Sequence, residues 1–282
     1  MAKKDSNSVL SALKDLSTRP LTQIDPATTP GWENGRKSAE KALEATGEVL
    51  SDLQERLFAE GRTGGSRSIL LIIQGMDSSG KGGIVRHVIG LVDPQGVQHQ
   101  SFGKPTDEEL SHDFLWRIRK ALPAPGYIGV FDRSHYEDVL AVRVNNLVPA
   151  QDWEQRYGII NEFEKELVDG GTTVIKVLLH ISPDEQKARL GERLERPDKY
   201  WKYNPGDVDE RLKWPAYQEA FQAMLDKTST SYAPWHVVPA NEKWFARLAV
   251  SELVKEALES LDLQWPAADF DVEVEKERLA QS

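Results

Sequence analysis

Ile69-Leu70-Leu71-Ile72-Ile73-Gln74-Gly75-Met76-Asp77-Ser78-Ser79-Gly80-Lys81-Gly82-Gly83 is an apolar run of β type that breaks into a glycine-rich loop carrying one lysine. Apolar residues then recur at helical spacing in Ile84, Val85, Val88, Ile89 and Val92. Strand, glycine loop and helix in this order make a phosphate-binding loop. Gly75 and Gly80 let the chain curl so that backbone N–H groups converge on one anion, and Lys81 adds a point charge. Ser78, Ser79, Gly82 and Gly83 complete the expected cradle. The spacing Gly-x4-Gly-Lys alone recurs by chance; the flanking strand and helix patterns give it weight. Gly82 stands where a serine or threonine usually offers a hydroxyl to Mg²⁺. Asp77, inside the loop, is the expected substitute, because phosphates would repel its carboxylate unless a cation sat between them.

Outward from this loop the chain reads as an α/β protein. Short β-type segments (97–102, 127–131, 173–181, 235–238) alternate with helical ones (106–121, about 136–146, 151–169, 183–195, 243–261), the pattern of a mostly parallel sheet with helices on both faces. Ligands of such sheets collect at the carboxyl ends of the strands. Residues 1–35, interrupted by Pro20, Pro26 and Pro30, are expected to form an irregular arm, and a helical pattern follows from Gly35 to Glu60 that packs either on the core or on another subunit. Residues 36–265 then form the phosphate-loop domain, with a lid at about 190–215, and 266–282 an acidic tail.

With 282 residues, 39% of them hydrophobic, the chain can bury one substantial core. The absence of cysteine excludes disulfides and thiolate metal sites and fits a reducing cytoplasm. No apolar run approaches the roughly 18 residues of a membrane span, and no secretory leader is visible, so a cytoplasmic protein without membrane partners is expected. A net charge of −10 argues against general DNA or RNA binding, whereas an anionic substrate needs only a local positive site. Lys187, Arg189, Arg193, Arg196, Lys199, Lys202, Arg211 and Lys213 crowd one stretch, which reads either as a solvated helix face or, beside a phosphate loop, as a phosphate-contacting lid.

The segment Val130-Phe131-Asp132-Arg133-Ser134-His135-Tyr136-Glu137-Asp138 ends the third strand in a carboxylate. Asp132 is there placed to be a second metal-binding acid, or else a helix cap, and Arg133 to clamp phosphate oxygens with its planar fork. Glu137 and Asp138 could equally complement a helix dipole. Adjacent Ser134, His135 and Asp138 cannot place nucleophile and base across a site, so no hydrolytic triad is read here, and His135 is structural or phosphate-contacting. Thr106 and Glu109 form a capping box, while Lys104 remains a phosphate candidate. Trp201, Tyr203 and Trp214 either stack on a base or pack the lid.

Taken together, residues 75–83, Asp-Pro-Gln-Gly-Val at 93–97, Ser-Phe-x-x-Pro-Thr-x-x-Glu at 101–109, Phe-Asp-Arg-Ser-His-Tyr-Glu-Asp-Val at 131–139 and Trp-Lys-Tyr at 201–203 resemble the family-2 polyphosphate kinases from about residue 36 to 262. The resemblance implies a P-loop kinase fold similar to thymidylate kinase, with a lid insertion. It implies reversible phosphoryl transfer between inorganic polyphosphate and adenine or guanine nucleotides, with Mg²⁺ or Mn²⁺ as cofactor, in a homo-oligomer, dimer or tetramer. Asp77 and Asp132 are implied at the metal, with Asp138 a third candidate. Lys81, Arg133 and lid Arg193 are implied on the transferring phosphates, with Lys202 of the lid motif among the binding residues and Glu137 and Asp138 close to the reacting end. Asp132 is a partial departure, since many relatives carry Asn. The Tyr-Glu-Asp-Val motif is similar to that of the subgroup accepting AMP as well as ADP. The competing readings are a nucleotide-donor kinase of thymidylate kinase type, active without polyphosphate, and a non-catalytic polyphosphate-binding protein.

Overall fold

The structure, a computed structural model, describes residues 2–282, with side chains from Ser8 onward. In chain order the elements are α1 (Ala2–Leu16), α2 (Gly35–Arg62), β1 (Ser68–Gln74), α3 (Lys81–His87), β2 (Val97–Ser101), α4 (Asp107–Leu110), α5 (Trp116–Lys120), β3 (Ile128–Asp132), α6 (Ala141–Val144), α7 (Ala150–Asp169), β4 (Thr172–His180), α8 (Pro183–Glu195), α9 (Gly206–Leu212), α10 (Trp214–Thr228), β5 (Trp235–Pro239), α11 (Lys243–Ser260) and α12 (Val272–Ala280). The strands form one sheet in the order β2-β3-β1-β4-β5. Every neighbouring pair is parallel.

β1 is buried along its whole length and lies at the centre. Strand periodicity sends Ile69, Leu71 and Ile73 to one face, where they join Val177, Leu179 and residues of α2, α3 and α11. Leu70 and Ile72 go to the other face, against Phe131, Leu178 and residues of α7 and α10. Both faces are therefore covered, as an all-parallel sheet requires. After β1 the chain crosses to β2 on one side, and after β3 it crosses to β4 on the other. The phosphate loop thus leaves the sheet where the strand order reverses, the position at which such sheets open a crevice.

Three segments differ from expectation. Residues 2–16, read as part of an irregular arm, are helical. Val9, Leu10, Leu13 and Leu16 form a buried stripe against the sheet and α11, and the prolines that suggested irregularity all follow the helix. The helix expected over 106–121 breaks into α4 and α5, because the Asp113 carboxylate accepts the Leu115 N–H at 3.0 Å and turns the chain between them. The helix expected over 136–146 is a 3₁₀ turn, His135–Asp138, followed by α6. The helix at 35–60 is found as α2, and it packs on the core through Ala39, Leu50 and Leu57. No helix among the described residues is long and apolar enough to cross a membrane.

Candidate active site

The loop after β1 is a tight backbone construction. Gly75 has φ +148°, and a Cβ there would lie 2.7 Å from the Leu179 carbonyl oxygen, so only glycine fits. Gly80 has φ +116°, and the Gly83 N–H returns to its carbonyl at 2.8 Å. Lys81 opens α3 and folds back across the loop, donating from Nζ to the carbonyls of Gly75 at 3.0 Å and Met76 at 3.3 Å. The Ser78 and Ser79 hydroxyls are buried and have no hydrogen-bond partner among the described residues. Buried hydroxyls of this kind are what an incoming phosphate oxygen would satisfy.

The cleft above this loop encloses about 550 Å³. It is lined by nine lysines and arginines against three carboxylates, an inversion of the balance of the whole chain. Lys81, Arg86 and Arg133 come from the loop side, Arg189, Arg193, Lys199 and Lys202 from α8 and the lid, and Lys243 and Arg247 from α11.

Asp77 and Arg133 form an ion pair at the floor of the cleft. Burial raises the pKa of Asp77, but Lys81, Arg133 and Arg193 outweigh it and hold the carboxylate below its ordinary range. Burial lowers the pKa of Arg133, but Glu137, Asp77 and Asp132 outweigh it and hold the guanidinium above its ordinary value. Its backbone is in the left-handed region at φ +63°, with its N–H held by the Ile73 carbonyl at 3.0 Å. Asp132 lines the same cleft, from the strand position paired with Ile73. Burial raises the pKa of Glu137 against the pull of Arg133 and Lys81. With the Gln74 amide oriented by its hydrogen-bond partners, its nitrogen donates to Glu137 Oε1 at 3.1 Å.

Other residues named from sequence lie elsewhere. Asp138 turns away from the phosphate loop and accepts from Arg156 Nη1 at 2.8 Å. Burial pushes its carboxyl up to about 6, against the opposing Arg156 and Arg117. Successive residues of a 3₁₀ turn point about a third of a circle apart, and neither carboxylate lines the cleft: Glu137 meets the Gln74 amide and Asp138 meets Arg156. The set Asp77, Asp132 and Asp138 is therefore not a three-carboxylate cage, and no group of three or more acidic or histidine side chains among the described residues is arranged to hold a metal. Lys104 is exposed and lies outside the cleft lining, although its neighbours Ser101, Phe102 and Gly103 contribute to it. His135 is completely buried, and burial keeps it below its ordinary pKa, so it is a structural histidine rather than a phosphate ligand.

Within the basic stretch the roles divide. Arg189 donates from Nη1 to the carbonyls of Ser78 and Ser79 at 2.9 and 2.8 Å. Nη2 reaches those of Ala240 and Asn241 at 2.6 and 2.9 Å, and Nε reaches Glu185 at 2.6 Å. All five donors are engaged, so Arg189 builds the loop instead of binding phosphate. Arg193 donates to the Lys202 carbonyl at 2.9 Å and to Asp207 Oδ2 at 3.1 Å, tying α8 to the lid. Arg196 pairs with Glu192 and Asp198, and Lys213 with Glu210. Trp201, in the lid segment Pro197–Lys202, is 78% exposed.

Gln186, which donates from Nε2 to the Asp77 carbonyl at 3.0 Å, and Asp207 were not identified from sequence, and neither carries a local signal. Lys243 and Arg247 were also missed; their i, i+4 spacing at the start of a helix was the available clue.

The donor chemistry fits Mg²⁺. This small hard ion is commonly held by one or two carboxylates together with substrate phosphates, and Asp77 and Asp132 supply that number at one cleft. The same two residues would hold Mn²⁺ in its place.

The sequence profile of the family described as Polyphosphate kinase 2 (PPK2) matches residues 33–266. The AMP/ADP-polyphosphate phosphotransferase of Meiothermus ruber is 48% identical over 246 residues, covering 87% of this chain and 91% of its own. The ADP-polyphosphate phosphotransferase of Rhodopseudomonas palustris is 40% identical, covering 89% of this chain and 88% of its own. The crystal structure of Polyphosphate Kinase 2 from Arthrobacter aurescens TC1 superimposes with a TM-score of 0.91 at 53% identity, covering 93% of each chain.

Proposed function

Because this chain belongs to the polyphosphate kinase 2 family, we propose that it transfers the terminal phosphoryl group between inorganic polyphosphate and nucleoside mono- and diphosphates, converting AMP to ADP and ADP to ATP reversibly. The observation that carries this reading is the floor of the cleft. Lys81, Asp77 and Arg133 meet there beneath a predominantly basic wall, in a chain whose net charge is −10.

Phosphoryl transfer needs alignment and charge neutralisation far more than a nucleophile. Lys81 is held by the loop carbonyls and presents its charge at the loop mouth. Arg133, its N–H held by the Ile73 carbonyl, brings its planar guanidinium to the equatorial oxygens. Lid residues Arg193, Lys199 and Lys202 bear on phosphates from the opposite wall and, when closed over them, exclude water. Asp77 and Asp132 are the residues that would hold Mg²⁺ here, and the ion would supply further neutralisation of phosphate charge. The Ser134 hydroxyl is buried and caps the turn by accepting the Tyr136 N–H at 3.2 Å, so it is not a nucleophile.

The acceptor range includes AMP, in keeping with the Tyr136-Glu137-Asp138-Val139 motif and with the name of the Meiothermus ruber relative. Guanine nucleotides are alternative acceptors. The protein works in the cytoplasm as a homo-oligomer, a reading supported by its lack of cysteine and by the family resemblance. The test is incubation with Mg²⁺ and long-chain polyphosphate, separately with AMP, ADP, GMP or GDP, followed by chromatography of the nucleotides. ADP and ATP from AMP establish both donor and acceptor range. ATP from ADP alone removes the AMP assignment, and product only when ATP is supplied points to a nucleotide-donor kinase.

A further inference from the structure

Beneath the turn that carries Arg133 and Glu137 lies a cluster of polar groups sealed from solvent. His135, Glu164 and Lys176 are each 0% exposed, as is Tyr136. Glu164, on α7, accepts from the Tyr136 hydroxyl at 2.6 Å and faces His135 Nε2 at 3.3 Å through Oε1. Its Oε2 accepts from Lys176 Nζ at 2.6 Å. Lys176, on β4, also donates to the Tyr136 hydroxyl at 3.0 Å and to the Thr228 carbonyl at 2.7 Å, which engages all three of its protons. The quartet thus connects β4, α7 and the end of α10 to two consecutive residues of one turn.

A buried ion pair is a poor source of stability, because removing two charges from water costs about as much as their attraction returns, and apolar replacements often do as well. Its effect here is directional. His135 and Tyr136 are drawn inward, and the flanking Arg133 and Glu137 are thereby directed toward the phosphate loop. Arg133 occupies a left-handed conformation that a non-glycine residue keeps only when its surroundings impose it. Release of the turn would let that residue relax and swing its guanidinium off Asp77.

We propose that Glu164 and Lys176, acting through Tyr136 and His135, are positioning residues for phosphoryl transfer. They hold Arg133 in the conformation that meets the transferring group, without themselves touching substrate. This inference rests on the function proposed above.

The test replaces both charges together, Glu164→Leu with Lys176→Met, so that no buried charge is stranded. The expected result is a folded protein whose KM values for polyphosphate and nucleotide stay within about threefold of wild type while kcat falls at least about 30-fold, the split of a lost transition-state alignment. A kcat within threefold of wild type overturns the inference. Should the paired variant not fold, Tyr136→Phe decides. It keeps the ring that packs edge-on against Trp235 at 4.8 Å and removes only the hydroxyl, and a roughly fivefold or greater fall in kcat at constant KM is expected. Unchanged kcat in that variant overturns the inference equally. If the wild-type protein turns over no polyphosphate, the proposed function fails, and a crystal structure of the folded variant decides the positioning role: loss of the Arg133–Asp77 ion pair supports it, and persistence of that pair overturns it.

Discussion

Burial raises the pKa of Asp77, but three surrounding cations outweigh it and keep the carboxylate ionised. A carboxylate kept charged at the mouth of a phosphate loop is suited to a cation shared with phosphate oxygens. Asp77→Asn should preserve the fold, since the amide keeps the size and one acceptor, and should lower kcat at least about 100-fold at saturating Mg²⁺. Near-normal turnover in a Mg²⁺ titration would sink the metal assignment. Asp138 offers a test of opposite character. Its carboxyl is raised to about 6 in the folded chain from 3.8, with its side chain 14% exposed. Between these values the folded chain holds a proton that the unfolded chain has released. The stability contribution of Asp138 therefore falls as pH rises from about 4 to 6.5, by at most about 3 kcal/mol. Asp138→Asn does not titrate, so the free energy of unfolding of wild type minus variant should decline across that window in denaturant titrations. A flat difference would show that Arg156 holds Asp138 at its ordinary value.

Among the elements, the phosphate loop, α8 and the loop leading into α11 behave as one unit because Arg189 bonds all three. Arg189→Ala would strand four carbonyls in a site that is 6% exposed at the arginine itself, at a cost of about 3–5 kcal/mol. The KM for both substrates should rise with the loosened loop. Arg189→Lys should recover little of this, since three donors on one nitrogen cannot bridge acceptors on three segments. Recovery of both the unfolding midpoint and KM by lysine would show that charge, not the planar fork, is what the loop requires. The identity of Arg189 as a structural residue was invisible in the chain, where it sits in a run of basic residues indistinguishable from Arg193. Its partners lie between 4 and 111 positions away.

For the whole molecule, a net charge of −10 sets up long-range repulsion of a polyanion, and the basic cleft must overcome it locally. Screening acts on that attraction, so the KM for long-chain polyphosphate should rise several-fold between about 0.05 and 0.3 M salt with kcat little changed. A salt-independent KM would mean that the cleft cations do not carry substrate binding. The parallel sheet, the phosphate loop and the family were legible in the chain. Each depends on patterns among neighbouring residues: an apolar run of strand length, glycines at fixed offsets, and motifs contiguous over nine residues or fewer. The strand ends could be placed to within a residue or two for the same reason, and α1 could have been read from the spacing of Val9, Leu10, Leu13 and Leu16. Only the tertiary structure decided that Glu137 sits beside Arg133 while its neighbour Asp138 turns to Arg156. It also decided that Lys104 lies outside the cleft, that Lys243 and Arg247 of α11 lie inside it, and that Glu164 and Lys176 lock the turn from below. These outcomes are set by packing between segments far apart in sequence, and a side chain's direction within a turn depends on which buried partner draws it inward.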